Sequence, residues 1–276
     1  MRKKIRSFDG THINYDIRRQ DNNKTFLVFI HGVGSNLKVW RKIRLFFDKL
    51  KIPTIAIDLR GHGKSDKPKV LKDYDLKNFA HDVKEVLKKE KIRHPIIIGH
   101  SMGGMVTLAF QELYPNFAKK YVIISSSYKT PKKLRMIAKK ISSVVKFLNE
   151  KLELVNPKII NKYEDNNPFF SRKDLHFGRI FNDMKKTSLK SWLFSLENIN
   201  KFNEVGILKT ITKPVLILSG AEDNIIGVNN SKRLHQFIKK SQLKIFPKEN
   251  HIMILTDPKI ISEEILSFIR KNKYKN

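Results

Sequence analysis

The sequence holds no cysteine. Disulfide bridges, thiolate nucleophiles and zinc sites with cysteine ligands are therefore excluded, and a reducing compartment suits the chain. Long apolar runs are also missing: nowhere do the roughly 18 consecutive apolar residues of a membrane-crossing helix occur. Met1-Arg2-Lys3-Lys4-Ile5-Arg6 is charged with no apolar stretch behind it, so no secretory signal is expected. These absences together lead us to expect a soluble, cytoplasmic protein. Acidic residues are the third scarcity, with 26 Asp and Glu against 56 Lys and Arg and a formal net charge of +30. Such an imbalance favours nucleic acid, anionic membrane or acidic substrates as partners. The basic residues, however, run through nearly every segment and accompany no RNA- or DNA-binding motif. They read as solvated helix faces, and no nucleic-acid partner is expected.

What is present is a chain of 276 residues in which strand and helix signals alternate. That length can bury roughly three quarters of its unfolded surface. Lys3–Phe8, a turn at Asp9-Gly10 and the alternating His12–Ile17 predict a β-hairpin over residues 3–19. Thr25–Ile30 is an unbroken apolar run, as in a strand covered on both faces. It stops at His31-Gly32-Val33-Gly34-Ser35-Asn36, and Trp40, Ile43 and Phe47 mark a helix beyond. Ile52–Ile57 predicts the next strand, and Asp75–Lys89 an amphipathic helix with Leu76, Phe79, Val83, Val86 and Leu87 on one stripe. Further strands are predicted at Ile96–Ile98 and Tyr121–Ile124.

Near Lys129 the alternation stops. It resumes with Pro214–Leu218, a helix over 229–239, a short strand at Leu243–Phe246 and a last helix from Asp257. The expected fold is α/β, a mostly parallel sheet with helices on both faces. Residues 129–205 carry helical patterns and aromatics (Phe169, Phe170, Phe177, Phe181, Trp192, Phe194) but no convincing strand. A helical insert therefore divides the core into 1–128 and 206–276.

The stretch Gly99-His100-Ser101-Met102-Gly103-Gly104 joins a strand to a helical pattern at Met105, Leu108, Ala109 and Leu113. It has the form of a nucleophile elbow, a turn so tight that its central residue is strained and lifted clear of the backbone. Small residues two before and two after the serine let strand and helix nearly touch. The turn exposes the Ser101 hydroxyl and leaves the Met102 N–H free at a helix N-terminus. Two other glycine-rich stretches compete. Gly32-Val33-Gly34 followed by Asp58 is most of a dinucleotide-binding fingerprint, but Leu37 stands where its third glycine should be. Gly63-Lys64-Ser65 imitates the tail of a phosphate loop, but Asp58 holds the leading glycine position, where a carboxylate would repel phosphate.

A serine hydroxyl is a poor nucleophile unless a base takes its proton and a third group orients that base. On this kind of sheet the chain order is nucleophile, acid, histidine. Of the nine histidines, His12, His31, His62, His81, His94 and His100 precede or adjoin the serine, and His176 lies in the insert. His235 falls inside an apparent helix, on a solvated face. His251 follows the last short strand in a loop, and order and position select it. No acidic residue follows the Tyr121–Ile124 strand until Glu150. Leu218-Ser219-Gly220-Ala221-Glu222-Asp223 offers two acids whose side chains diverge; Asp223 is chosen, with Glu222 as its exposed neighbour. The oxyanion formed on an acyl carbonyl needs two convergent donors. Met102 N–H supplies one, and Val33 N–H, between two glycines, is the expected second.

With these residues in place the chain resembles the α/β-hydrolase superfamily. The resemblance rests on His31-Gly32-Val33-Gly34, Asp58-Leu59-Arg60-Gly61-His62-Gly63-Lys64-Ser65, Gly99–Gly104, Gly220-Ala221-Glu222-Asp223 and Asn250-His251. It implies an eight-stranded sheet, with 129–205 as the cap that members insert after the sixth strand. Within the superfamily it is similar to small esterases, monoacylglycerol lipases and carboxylesterases. The implied activity is cleavage of a small acyl ester through an acyl-enzyme, with Ser101, Asp223 and His251 as triad and no cofactor or metal. The same site could serve lactone, thioester or carbon–carbon hydrolysis, or perhydrolysis. A non-catalytic small-ligand receptor on this fold would have no need of the complete set. In the cap, Leu134, Ile137, Ala138, Ile141, Val144, Val145 and Leu148 form one stripe, with Lys133, Lys139, Lys140 and Lys146 largely off it. Such a helix packs a cap onto a core, or rests weakly on anionic lipid.

Overall fold

The computed structural model describes residues 1–20, 25–131, 135–136, 187–203 and 205–271. Its strands are β1 (Arg2–Arg6), β2 (His12–Arg18), β3 (Leu27–Ile30), β4 (Thr54–Ile57), β5 (Ile96–His100), β6 (Lys120–Ile124), β7 (Val215–Gly220) and β8 (Ser241–Phe246). They form one eight-stranded sheet in the order β1-β2-β4-β3-β5-β6-β7-β8. The β1–β2 hairpin adds to β4 in antiparallel fashion, and every other pairing is parallel. The described helices are α1 (Arg41–Lys49), α2 (Leu76–Lys89), α3 (Met102–Leu113), α4 (Leu189–Lys201), α5 (Val205–Leu208), α6 (Val228–Phe237), α7 (Met253–Thr256) and α8 (Pro258–Arg270).

Two cores lie on the two faces of the sheet. Side chains of β3, β4, β5, β6 and β7 alternate between them, which is why these strands read as continuous apolar runs. Phe79, Val83, Val86 and Leu87 of α2 pack with Val106, Leu108 and Phe110 of α3 on one face. Ile43 and Phe47 of α1 pack with Ile261, Ile265 and Phe268 of α8 on the other. Each such side chain, fully buried, contributes about 1.5–3 kcal/mol. Helix starts are marked chemically: the Asp75 carboxylate accepts from Lys77 N–H ahead of α2, and Asp257 from Ile260 N–H ahead of α8, where Pro258 suits the first turn. The far end of α8 is closed by Lys120, whose ammonium donates to the carbonyls of Phe268 and Lys271, both at 2.9 Å.

The expected elements recur with shifted edges. The strand expected from Ile52 starts at Thr54, because Ile52 N–H is tied back to Phe47 O at the end of α1 (3.0 Å) and Pro53 has no N–H to give the ladder. β8 starts at Ser241 rather than Leu243, since ladder bonds to β7 extend under polar, partly solvated residues of an edge strand that hydropathy does not mark. The cap expected over 129–205 lies largely outside the described residues, as do the stripe from Ile137 to Leu148 and its Leu134. The described helix at the end of that stretch, α4, packs into the core, with Leu193, Phe194 and Ile199 buried there. The Tyr74 hydroxyl and Ser191 Oγ are 2.7 Å apart, the Tyr74 and Phe194 rings meet edge-on, and Thr187 Oγ1 donates to Gly34 O at 3.1 Å.

Buried polar groups set the loops at the carboxyl edge of the sheet. Asp58, after β4, accepts from Leu37 N–H (2.7 Å), Lys64 N–H (2.9 Å) and Asn14 Nδ2 (2.7 Å). Burial pushes its carboxyl up against the pull of these donors. Gly63 has φ +51°, and a β-carbon there would sit 2.3 Å from Asp58 Cγ. The acid that stood at the fingerprint position is thus spent on the protein's own amides. His31 Nε2 accepts from Leu59 N–H (3.1 Å) while its Nδ1 donates to Gly32 O (2.8 Å). Burial drives His31 down to about 4. Burial, and then the nearby His31, drive His62 down to about 3. Arg60 meets the Asp82 carboxylate with two bonds of 2.7 Å, both side chains fully buried, and reaches Asp9 with a third at 2.8 Å.

Asp82→Asn would leave the buried guanidinium only the more exposed Asp9 as counter-charge, an expected loss of about 3–5 kcal/mol. A urea unfolding midpoint unchanged in that variant would refute the account. Acid should also weaken the fold through His31 and His62. Both bind fewer protons folded than unfolded, so the stability present at pH 7 falls as pH drops below about 6.5, the unfolded value. By pH 5 the loss is about 2 kcal/mol for each. Urea midpoints at pH 7.5 and 5.0 should show it, and His62→Gln should reduce the difference between them.

Candidate active site

β5 ends at His100 and α3 begins at Met102, so Ser101 alone makes the turn. Its φ of +54° and ψ of −120° are a conformation that L-residues avoid, at a cost of about 1–3 kcal/mol. The surroundings enforce it. Ser101 N–H donates to Ile124 O of β6 at 2.9 Å, and the Ser101 carbonyl accepts from Ser126 Oγ at 2.7 Å and from Gly104 N–H at 2.9 Å. The flanking glycines are steric needs: a β-carbon on Gly99 would sit 2.2 Å from Gly103 O, and one on Gly103 would sit 2.3 Å from Ile30 O.

His251 stands in the loop between β8 and α7, with Nε2 3.0 Å from Ser101 Oγ and Nδ1 3.0 Å from Asp223 Oδ2. Asp223 follows β7, and its other oxygen accepts from Ile225 N–H (2.9 Å) and Ile226 N–H (2.8 Å). All three side chains are buried, Ser101 at 9% exposure, His251 at 6% and Asp223 at 5%. Burial acts to raise the Asp223 carboxyl. It is outweighed by the hydrogen bond and charge of His251 and by the two amides, which hold the group below the usual carboxylate range. With a carboxylate at Nδ1, the neutral imidazole carries its proton there and turns the Nε2 lone pair to the hydroxyl. Glu222 is exposed, as expected of the neighbouring acid.

The acid and histidine loops are held in register by backbone contact. A β-carbon on Gly220 would lie 2.1 Å from Glu249 O, while Ala221 N–H donates to Phe246 O (2.9 Å) and Glu222 N–H to Glu249 O (3.0 Å). Gly32 touches the elbow in the same way: its β-carbon would be 3.1 Å from Ser101 Cβ. The Val33 amide, one residue on, therefore belongs to the loop that touches Ser101. Neither Val33 N–H nor Met102 N–H donates a hydrogen bond among the described residues.

Sequence reasoning passed over two side chains at this site. Ser126 grips the Ser101 carbonyl, and His100 Nε2 lies 2.8 Å from His251 O. Nothing in the spacing of Ser125-Ser126-Ser127 marks the first. His100 was set aside by chain order, which ranks candidates for the base but says nothing about supports. His235 sits exposed on α6 with Nδ1 2.8 Å from Ser241 Oγ, remote in role from Ser101, and His176 lies outside the described residues. Among the described residues no group of three His, Asp or Glu side chains could hold a metal ion, and no helix is long and apolar enough to cross a membrane.

Comparison with known proteins bears on this arrangement. The chain is 29% identical to YugF, an uncharacterised hydrolase of Bacillus subtilis, over 96% of this chain and 98% of that protein. Among solved structures, it superposes on an esterase from Exiguobacterium antarcticum with a TM-score of 0.77 at 21% identity, covering 98% of this chain and 99% of that one. An α/β hydrolase from a Medee basin deep-sea metagenome library gives a TM-score of 0.81 at 22% identity, covering 99% of both chains. The family model of the alpha/beta hydrolase fold matches residues 25–258. Sheet order, elbow and family match agree, and the chain belongs to the α/β-hydrolase fold family, as a hydrolase of that fold.

Proposed function

We propose that this hydrolase is a serine esterase acting on small carboxylic esters through an acyl-enzyme. The observation that carries the reading is the unbroken hydrogen-bonded chain Ser101–His251–Asp223. In the first half-reaction Ser101 Oγ attacks the acyl carbonyl carbon and its proton passes to His251 Nε2. Asp223 holds the ring and stabilises the imidazolium. The carbonyl oxygen becomes an oxyanion, for which the amides of Val33 and Met102 are the donors, each worth about 10²–10³ in rate. Collapse of the tetrahedral adduct breaks the bond to the alcohol oxygen, which takes the proton from His251. In the second half-reaction water gives a proton to His251 and attacks the acyl-serine. The acid then leaves, and Ser101 recovers its proton. The esterase named among the structural neighbours supports the ester as substrate.

Ser101→Ala should lower kcat/KM on p-nitrophenyl butyrate by about 10⁴-fold or more with the urea midpoint retained. A fluorophosphonate should leave a covalent adduct on Ser101 in the wild-type protein and none in the variant. Wild-type protein that neither labels nor turns over p-nitrophenyl esters would defeat the reading. Asp223→Asn, which accepts less well from Nδ1–H and invites the wrong tautomer, should lower kcat by about 10⁴-fold. Turnover within tenfold of wild type would remove Asp223 from the set.

A further inference from the structure

The loop that carries His251 has no ladder of its own to fix it. Residues 247–252 lie between β8 and α7, and the imidazole must stay within hydrogen-bond reach of both Ser101 and Asp223. Asn250 Oδ1 caps this turn by accepting from Ile252 N–H at 3.0 Å. The bond from His100 acts on the main chain of His251 itself, with Nε2–H donating to the carbonyl at 2.8 Å. His100 is the last residue of β5 and the immediate neighbour of Ser101. Its place relative to the hydroxyl is therefore set by the sheet and by the same turn. The ring is wedged on three sides: the His251 imidazole at 5.1 Å, the edge of Trp40 at 6.5 Å, and Gly32, whose β-carbon would come 3.3 Å from Nδ1.

We propose that His100 is a positioning residue for the base: its Nε2–H bond to the His251 carbonyl transmits the placement of the nucleophile elbow to the histidine loop. The inference rests on the esterase reading above. Its physical content is a distance. Proton transfer needs Nε2 and Oγ about 2.6–3.2 Å apart, and a displacement of 1 Å at such a site can cost about 10²-fold in rate. A donor anchored on β5 couples the two side chains by a path of two adjacent residues and one hydrogen bond. Without it, the described hydrogen bonds refer the histidine loop to the elbow less directly, through the acid loop (Glu222 N–H to Glu249 O) and through Ser125 Oγ, which donates to Met253 Sδ at 3.4 Å beyond the loop.

The test compares three variants on p-nitrophenyl butyrate, with fluorophosphonate inactivation of the wild type measured first. His100→Leu keeps the volume and removes the donor. His100→Gln offers an amide N–H at the reach of Nε2, and His100→Asn carries one that falls short. The Leu and Asn variants should lose about 10–10²-fold in kcat, with KM within about twofold of wild type and fluorophosphonate inactivation slowed in step. His100→Gln should recover kcat to within about fivefold of wild type, because the donor is restored. A role in packing alone would let Leu perform better than Gln. Equal impairment of Gln and Asn in folded protein, or a Leu variant within threefold of wild-type kcat, would overturn the proposal. If Leu does not fold, the comparison of Gln with Asn decides. Wild-type protein that does not react with the fluorophosphonate would defeat the esterase reading instead. A reactive wild type with an unaffected Leu variant defeats only the role of His100.

Discussion

Where β5 meets α3 the backbone of Gly99 and the carbonyl of Gly103 leave no room for a side chain, and the arrangement at the carboxyl edge of the sheet depends on that contact. The strand can turn into the helix within one residue only if the two elements nearly touch. Turning within one residue forces Ser101 to positive φ. That conformation holds the hydroxyl up from the sheet and leaves Met102 as the first residue of a helix, its amide without a partner in the turn. The strain of the elbow is carried by its neighbours, since β6 accepts the Ser101 N–H and Ser126 holds its carbonyl. Relaxing it would mean giving up those bonds together.

A second constraint follows from the first. A serine fixed by the sheet stays in reach of other side chains only if the loops around it are fixed in the same frame. Three loops, after β3, β7 and β8, bring Gly32, Asp223 and His251 to it. Each is tied by close backbone contact rather than by regular structure: Gly32 against the elbow, and Gly220 against Glu249 O. Buried polar groups do the rest. Asp58 binds the loop after β3 to the loop after β4, and neutral His31 links Gly32 to Leu59. These groups would be costly in the interior if unpaired. Paired as they are, they convert the positions of separate loops into one arrangement.

The distribution of charge has the opposite character. Several carboxylates are held close to basic groups or amides: Asp82 with Arg60, Glu90 with Lys3, Arg19 and the Tyr15 hydroxyl, Asp16 with Arg44.

The fold was legible wherever burial on both faces left a continuous apolar mark, as in Thr25–Ile30 and Tyr121–Ile124, and less so at β8, whose ladder runs under Gln242 and Lys244. The site was legible to the extent that local chemistry announces itself. Gly-x-Ser-x-Gly records a steric need within five residues, and chain order narrowed nine histidines to His251. The sequence by itself determined the strand–helix alternation and the glycines that permit the elbow, and it narrowed the candidates to Ser101, His251 and the neighbouring acids Glu222 and Asp223. Only the tertiary structure decided that Asp223 rather than Glu222 faces the imidazole, that Asp58 serves internal amides, and that His100 reaches the His251 carbonyl. Those outcomes turn on contacts between residues as many as 151 positions apart. A chain's local pattern carries no information on such distances until the sheet has brought its loops together.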